Sequence, residues 1–411
     1  DVYKRQDEER EAGRPLKTAP CYERLKSMGA VFGQKFGWER ANWFVDGEME
    51  QVDHWSFRRS KWFDAVGKEV INVTNNVGVL DMTAFAKCRI TGKHALKFLD
   101  NLLANKMPQK SGQIALCHAL NSNGGIHSEF TVLKEKEESY YLVSAGALQR
   151  LDHDYIKKYM SQDDDVRYQN LTDEKGVLVL AGPKSRELLE RVSDHDFSNE
   201  AFPWLTAQEI EIDNSRITAM RVNYVGELGW ELHHELNDQN KIFDKLFENG
   251  SDLGLKPFGI RAMDSMRFEK SYRMVGTELS IEYSAFESSM DRFIQNDKEN
   301  FLGKESLLAW QKKNNQSRLV TLEVDEIKDA DVLGNNAVTI DGQLIGRATG
   351  GNFGYRVNKS LALAMLDIEK AEVGTSCSID ILGEIHPATV ISDSPFDPKN
   401  ERLRDVNNAN K

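Results

Sequence analysis

The stretch Asn223-Tyr224-Val225-Gly226-Glu227-Leu228-Gly229-Trp230-Glu231-Leu232 sets one carboxylate between two glycines. Gly226 and Gly229 permit backbone angles that a β-carbon blocks, so Glu227 can be held where the chain leaves room for a flat ligand. A carboxylate fixed in this way can accept two parallel N–H bonds from a planar donor edge. An ordinary β-turn with a surface acid would carry the same string, and the stretch alone leaves both readings open. Its flanks read as strands. Residues 216–222 alternate Ile217, Ala219 and Arg221 with Thr218, Met220 and Val222, and Trp230 and Leu232 open the return strand.

Other chemistries find less support. The nine histidines show no H-E-x-x-H spacing, and His233-His234, adjacent on a strand, point to opposite faces, so no metal site is expected. Cys21, Cys88, Cys117 and Cys377 are scattered with no C-x-x-C pair, which fits a reducing compartment. The expected location is the cytoplasm, or the mitochondrial matrix if the source is eukaryotic. No G-x-x-x-x-G-K-[ST] or G-x-G-x-x-G string occurs. The nearest approach, Gly350-Gly351-Asn352-Phe353-Gly354, reads as a turn with no helix after it, so the chain lacks the signs of its own dinucleotide-binding domain. A net charge of −12, from 53 Lys+Arg against 65 Asp+Glu, argues against wholesale nucleic-acid binding but allows a local basic pocket. With 411 residues, 40% hydrophobic, the chain can build two or three cores. No run approaches the roughly 18 apolar residues of a spanning helix. The first residues are too charged for a secretory signal, and the missing initiator Met points to an incomplete or processed chain.

The elements that must position these residues form an α+β pattern. Residues 1–20 read as a packed arm, and the aromatic cluster Phe32, Phe36, Trp38, Trp43 and Phe44 as a core anchor. A helix is expected over 57–70. Short strands follow, with a hairpin turn at Asn121-Ser122-Asn123-Gly124-Gly125 whose return strand carries Glu129. Helices are expected over 95–103, 148–160, 184–192 and 240–248, with another from Gly259 to Lys270. Breakers around 297–305 mark a boundary. The strands after it, over 318–324, 337–340, 343–349, 360–367, 376–382 and 385–391, predict a small closed or nearly closed barrel.

Several strings together resemble the aminomethyltransferase (glycine-cleavage T-protein) superfamily. They are Gly78-Val79-Leu80-Asp81-Met82-Thr83, Leu120-Asn121-x-x-Gly124-Gly125-Ile126, Tyr224-x-Gly226-Glu227-Leu228-Gly229-Trp230-Glu231, Arg267-Phe268-Glu269-Lys270 and Phe301-Leu302-Gly303-Lys304-Glu305. Residues 29–44 and the Ser394-Pro395-Phe396-Asp397-Pro398 tail are similar to the branch of dimethylglycine and sarcosine dehydrogenases. The resemblance implies a multi-domain folate-binding fold with a C-terminal β-barrel. Residues 1–56 would end an FAD-oxidoreductase linker region, 57–300 would bind folate, 301–395 would form the barrel and 396–411 a polar tail. It also implies tetrahydrofolate as cofactor, a small one-carbon donor, and an FAD domain in cis in a half that this chain lacks. Glu227 then matches the pterin-binding glutamate, and Tyr224 could stack on the ring or bond it. Glu129 matches the acid beside the folate's reactive nitrogens, where it would steer the carbon and relay a proton. Arg267 is a candidate partner for folate carboxylates or for Glu227, or else an ion pair with Asp264. Ser128, Ala145 and Met263 stand where glycine-cleavage transferases carry Asp, Asn and Arg, which suits the flavoprotein branch. A stand-alone transferase or demethylase, and a non-catalytic docking module, are the alternatives.

Overall fold

The computed structural model describes residues 11–161, 165–312 and 316–406. The first ten residues of the expected arm and the last five of the tail lie outside it. A short helix, α1 (Tyr22–Ser27), leads into a hairpin of β1 (Ala30–Lys35) and β2 (Trp38–Phe44). Trp38, Trp43 and Phe44 are buried as a core anchor requires, but Phe36 is 65% exposed at the hairpin tip with φ +52°. Helix α2 runs over Trp62–Asn75, five residues later than the expected start. Residues 57–60 lie outside the helix in an irregular segment, where Arg58 pairs with Asp329 and Arg59 with Asp331 on a barrel loop.

From residue 77 the chain weaves two sheets. It contributes β3 (Val77–Asp81), β4 (Ala86–Thr91), β5 (Ile114–Leu120), β6 (Ile126–Lys136), β7 (Ser139–Ser144) and β8 (Arg167–Asn170). Then come β9 (Lys175–Ala181), β10 (Ala207–Ile212), β11 (Ser215–Met220), β12 (Gly229–Glu235) and β13 (Leu255–Pro257). One sheet has the order β10-β11-β12-β9-β3-β13 and the other β5-β6-β7-β4-β8. Their edges meet where the Ile114 N–H donates to Leu205 O and the Ala207 N–H to Gly112 O. Alternation puts Ile217, Ala219, Trp230 and Leu232 in one core with Leu178 and Leu180, while Phe130, Val132 and Leu142 fill another with helix α3 (Ala95–Leu102). Helix α4 (Gln149–Tyr159) follows β7, α5 (Ser185–Val192) follows β9, and α6 (Gln239–Gly250) follows β12. Helix α7 (Ile260–Glu269) packs beside α2 over Val66, Val70 and Met266.

After α8 (Lys304–Lys312), six strands close into a barrel: β14 (Ser317–Val324), β15 (Ala337–Ile340), β16 (Gln343–Gly354), β17 (Lys359–Asp367), β18 (Ser376–Ile381) and β19 (Glu384–Ile391). The glycine run at 350–354 is not a turn. It continues β16 past a bulge after Ala348 and pairs with β17, and a Cβ at Gly351 would lie 2.7 Å from Leu361 O. Beyond β19 lies α9 (Glu401–Arg404), where the Arg404 carbonyl accepts from Arg221.

Candidate functional site

The turn between β11 and β12 is set by Asn223. Its side-chain oxygen accepts the N–H of Val225 at 3.1 Å and of Gly226 at 3.0 Å, which fixes a tight reversal. Gly226 has φ +75°, and a Cβ there would lie 2.5 Å from a Lys270 methylene. The space beside this glycine is therefore filled by Lys270, and no flat ligand has room there. Gly229 is required for a different reason, since its Cβ would lie 2.2 Å from Leu180 O.

Glu227 emerges from this turn 1% exposed. Its Oε1 accepts from an Arg356 guanidinium N–H at 3.2 Å and its Oε2 from Arg402 Nε–H at 2.8 Å. Arg356 sits in the β16–β17 turn and also binds Glu269, Val225 O at 2.9 Å and Met266 O at 2.9 Å. Arg402 belongs to α9 and donates a second bond to Thr74 O. Phe396 lies 3.9 Å from the Arg356 guanidinium, and Lys270 donates to the carbonyls of Phe396 (3.0 Å) and Asp397 (2.6 Å), fastening the tail. Burial lowers Lys270 to about 8, with Asp397 pulling the other way. Burial also raises Glu227 above the usual carboxylate range against the pull of Arg356 and Arg402.

Glu129 lies on β6 directly across from His118 on β5, and His118 Nε2 is 2.8 Å from Glu129 Oε2. The histidine is fully buried, whereas the glutamate side chain is 19% exposed. The glycines of the β5–β6 turn seat this hairpin. A Cβ at Gly124 would lie 2.7 Å from Leu307 N, and one at Gly125 2.4 Å from Ile281 O. Tyr224 stands in the same turn as Glu227, three residues before it. Its ring packs on Tyr272 with centroids 5.6 Å apart, and its hydroxyl donates to Arg273 O. Burial raises that hydroxyl well above its usual range, Arg267 opposes this, and the charge of Glu129 adds to it.

Arg267 is not a partner of Glu227. It bonds Asp264 at 2.6 Å, Tyr272 O at 3.0 Å and Glu278 at 3.4 Å, the structural ion pair. Sequence reasoning missed His118, Arg356 and Arg402. His118 was within reach, because counting outward from the Asn121–Gly125 turn sets it against Glu129. Arg356 and Arg402 carried no signal, since they reach Glu227 from 129 and 175 residues away. His233 bonds Tyr141 and Glu231 while His234 bonds Glu235 O, and the described residues hold no cluster suited to a metal. No helix among the described residues is long and apolar enough to cross a membrane.

The donor set suits a reduced pterin chemically. Two of the four acceptor positions of Glu227 remain after its arginine bonds, and Glu129 Oε1 carries no hydrogen bond among the described residues. Arg402, the partner of Glu227 Oε2, has a side chain 39% exposed.

Comparison with known proteins identifies the family of the chain. Residues 21–298 match the GCVT N-terminal domain, and residues 317–397 match the glycine cleavage T-protein C-terminal barrel domain. The chain is 30% identical over 334 residues to the aminomethyltransferase of Thermoanaerobacter sp. (strain X514), covering 80% of this chain and 89% of that protein. It is 34% identical over 389 residues to the mitochondrial dimethylglycine dehydrogenase of Mus musculus, covering 94% of this chain but 44% of that one. Identity is 30% over 395 residues to the 4-methylaminobutanoate oxidase (formaldehyde-forming) of Paenarthrobacter nicotinovorans, covering 96% of this chain and 48% of that oxidase. The chain thus spans less than half the length of these two oxidoreductases. In fold it superposes on the glycine cleavage system aminomethyltransferase T of Bartonella henselae with a TM-score of 0.80 at 20% identity, over 93% of this chain and 99% of that one.

Proposed function

This chain belongs to the glycine-cleavage T-protein family of aminomethyltransferases, and from that premise we propose that it binds tetrahydrofolate and loads it with a one-carbon unit. We assign it to the folate-binding portion of a flavin-dependent N-methyl amine dehydrogenase of the dimethylglycine or sarcosine type. Its FAD domain would be supplied by a further part of the same protein. The match over 94–96% of this chain to dimethylglycine dehydrogenase and to a formaldehyde-forming oxidase supports that choice.

One observation carries the reading: Glu129 presents an Oε1 with no hydrogen bond among the described residues, while Glu227 is held by two arginines with acceptor positions left over. When bound, folate supplies two amine nitrogens that take up a formaldehyde-level carbon, with two N–C bonds formed and the oxygen leaving as water. Glu227 holds the pterin's donor edge, and Tyr224 packs against the ring. Glu129 Oε1 accepts the proton released as the first N–C bond forms and returns it to the departing oxygen. No electrons change hands in this step, because the oxidation belongs to the flavin part.

Calorimetric titration of tetrahydrofolate into the full chain tests the clamp. Glu227→Gln should weaken binding about 10- to 150-fold, the loss of a charged hydrogen bond worth about 1.5–3 kcal/mol. Equal affinity for both proteins would refute it. An upstream reading frame encoding a strand, G-x-G-x-x-G turn and helix would support the flavoprotein assignment, and an in-frame start near Pro15 would refute it. The stand-alone aminomethyltransferase reading is favoured by the 89% coverage of the Thermoanaerobacter enzyme.

A further inference from the structure

We propose that His118 is the positioning residue of this site: a neutral imidazole that holds Glu129 Oε2 and leaves Oε1 free to take the proton. The inference rests on the reading of the site given above. Its basis is the register of one hairpin and the environment of one ring.

His118 and Glu129 are cross-strand partners on β5 and β6, so their side chains share a face of the sheet. The imidazole is fully buried, with the Phe293 ring set edge-on at 5.6 Å. Its Nε2 lies 2.8 Å from Glu129 Oε2, and its Nδ1 has no partner among the described residues. That asymmetry decides where the proton sits. A proton on Nδ1 would be a buried donor with no acceptor, costing about 1–3 kcal/mol, and would turn the Nε2 lone pair toward an anionic oxygen. A second proton on the ring would leave the same orphaned N–H. The arrangement without an orphaned donor has hydrogen on Nε2, a bare lone pair on Nδ1, and an ionised Glu129.

Such an imidazole is a fixed donor and cannot serve as a proton store. It locks the Glu129 side chain and disfavours protonation of Oε2, so proton traffic is confined to Oε1 on the exposed side. The other ionisable groups around the pair are Tyr224, Cys117 on the same strand as His118, and Lys298 and Asp100 beyond Cys117. Arg292, stacked at 4.7 Å on Phe293, completes the surround.

The test uses the full chain with tetrahydrofolate and formaldehyde, following methylene-tetrahydrofolate above the spontaneous rate. His118→Leu should lower kcat about 10- to 100-fold and leave KM for tetrahydrofolate within about twofold. His118→Gln, which keeps an N–H at similar reach, should recover to within about threefold. Equal losses in both variants, or a loss carried by KM instead of kcat, would overturn the proposal. If Glu129→Gln is as fast as the parent, the reading of the site fails. If Glu129→Gln is slow and His118→Leu is not, the role of His118 alone fails. Nitrogen NMR of the histidine-labelled chain should show His118 protonated on Nε2 and bare on Nδ1, and the opposite tautomer would also overturn it.

Discussion

Glu227 and Glu129 are held in opposite ways. Both oxygens of Glu227 rest on guanidinium groups, one from the barrel and one from the C-terminal tail, and the residue is 1% exposed. Glu129 has one oxygen on an imidazole and the other uncommitted, with its side chain 19% exposed. The contrast follows from desolvation. A carboxylate taken fully out of water must be matched by charge, and once matched it ties its partners' elements together. A carboxylate left partly in contact with water and holding one hydrogen bond keeps an acceptor for chemistry. The first acid is therefore suited to recognition and architecture, and the second to proton transfer.

The largest difference should appear in rate. Glu129→Gln is expected to slow methylene-tetrahydrofolate formation at least about hundredfold while costing less than about 1 kcal/mol in urea unfolding. Glu227→Ala should show the reverse weighting, losing about 3 kcal/mol of stability because it strands buried Arg356. The loss falls at the low end for such pairs because Arg356 keeps Glu269. Equal stability losses in the two variants would erase the distinction between them.

Lys87 sharpens the rule, being a buried charge with a single hydrogen bond, to Thr83 O at 2.7 Å. Burial lowers it to about 7, with Asp81 and Asp173 pulling back. The unfolded chain holds this proton up to about pH 10.4 and the folded chain releases it near 7, so this residue makes stability rise with pH between those values. Lys87→Met should add about 1–3 kcal/mol at pH 7, after allowing for the lost hydrogen bond, and flatten the rise toward pH 9.5. Urea unfolding at the two pH values decides, and a loss at pH 7 would show that Lys87 is adequately paired.

What the sequence made legible follows the range of the interactions. The barrel strands and the Asn121–Gly125 hairpin were readable because period-2 alternation and turn residues act within about ten positions. Helix α2 begins at Trp62, where its expected stripe of Trp62, Phe63 and Val66 starts, and the ion pairs that Arg58 and Arg59 make before it reach Asp329 and Asp331 in another part of the chain. Gly350–Gly354 looked like a turn because glycine clusters mark turns, but close approach of β17 selects glycine there too. Glu227 and Tyr224 could be singled out from their turn chemistry. The two arginines on Glu227 could not, since only the tertiary fold brings β16 and the tail to it.

The tail contact gives the smallest effect and the finest test of the contrast. Arg402 is 39% exposed and sits on a four-residue helix, so its bond to Glu227 is screened on one side by water. Arg402→Ala should cost less than about 1 kcal/mol in unfolding, far below Glu227→Ala. It frees an acceptor on Glu227 while Arg356 still holds Oε1. If Glu227 grips a pterin, removing this competitor should tighten tetrahydrofolate binding about three- to tenfold in the same titration. Weaker binding would mean that Arg402 holds the ligand together with Glu227. Unchanged binding of a ligand that Glu227→Gln does weaken would mean that the pterin reaches the carboxylate from the side away from the tail.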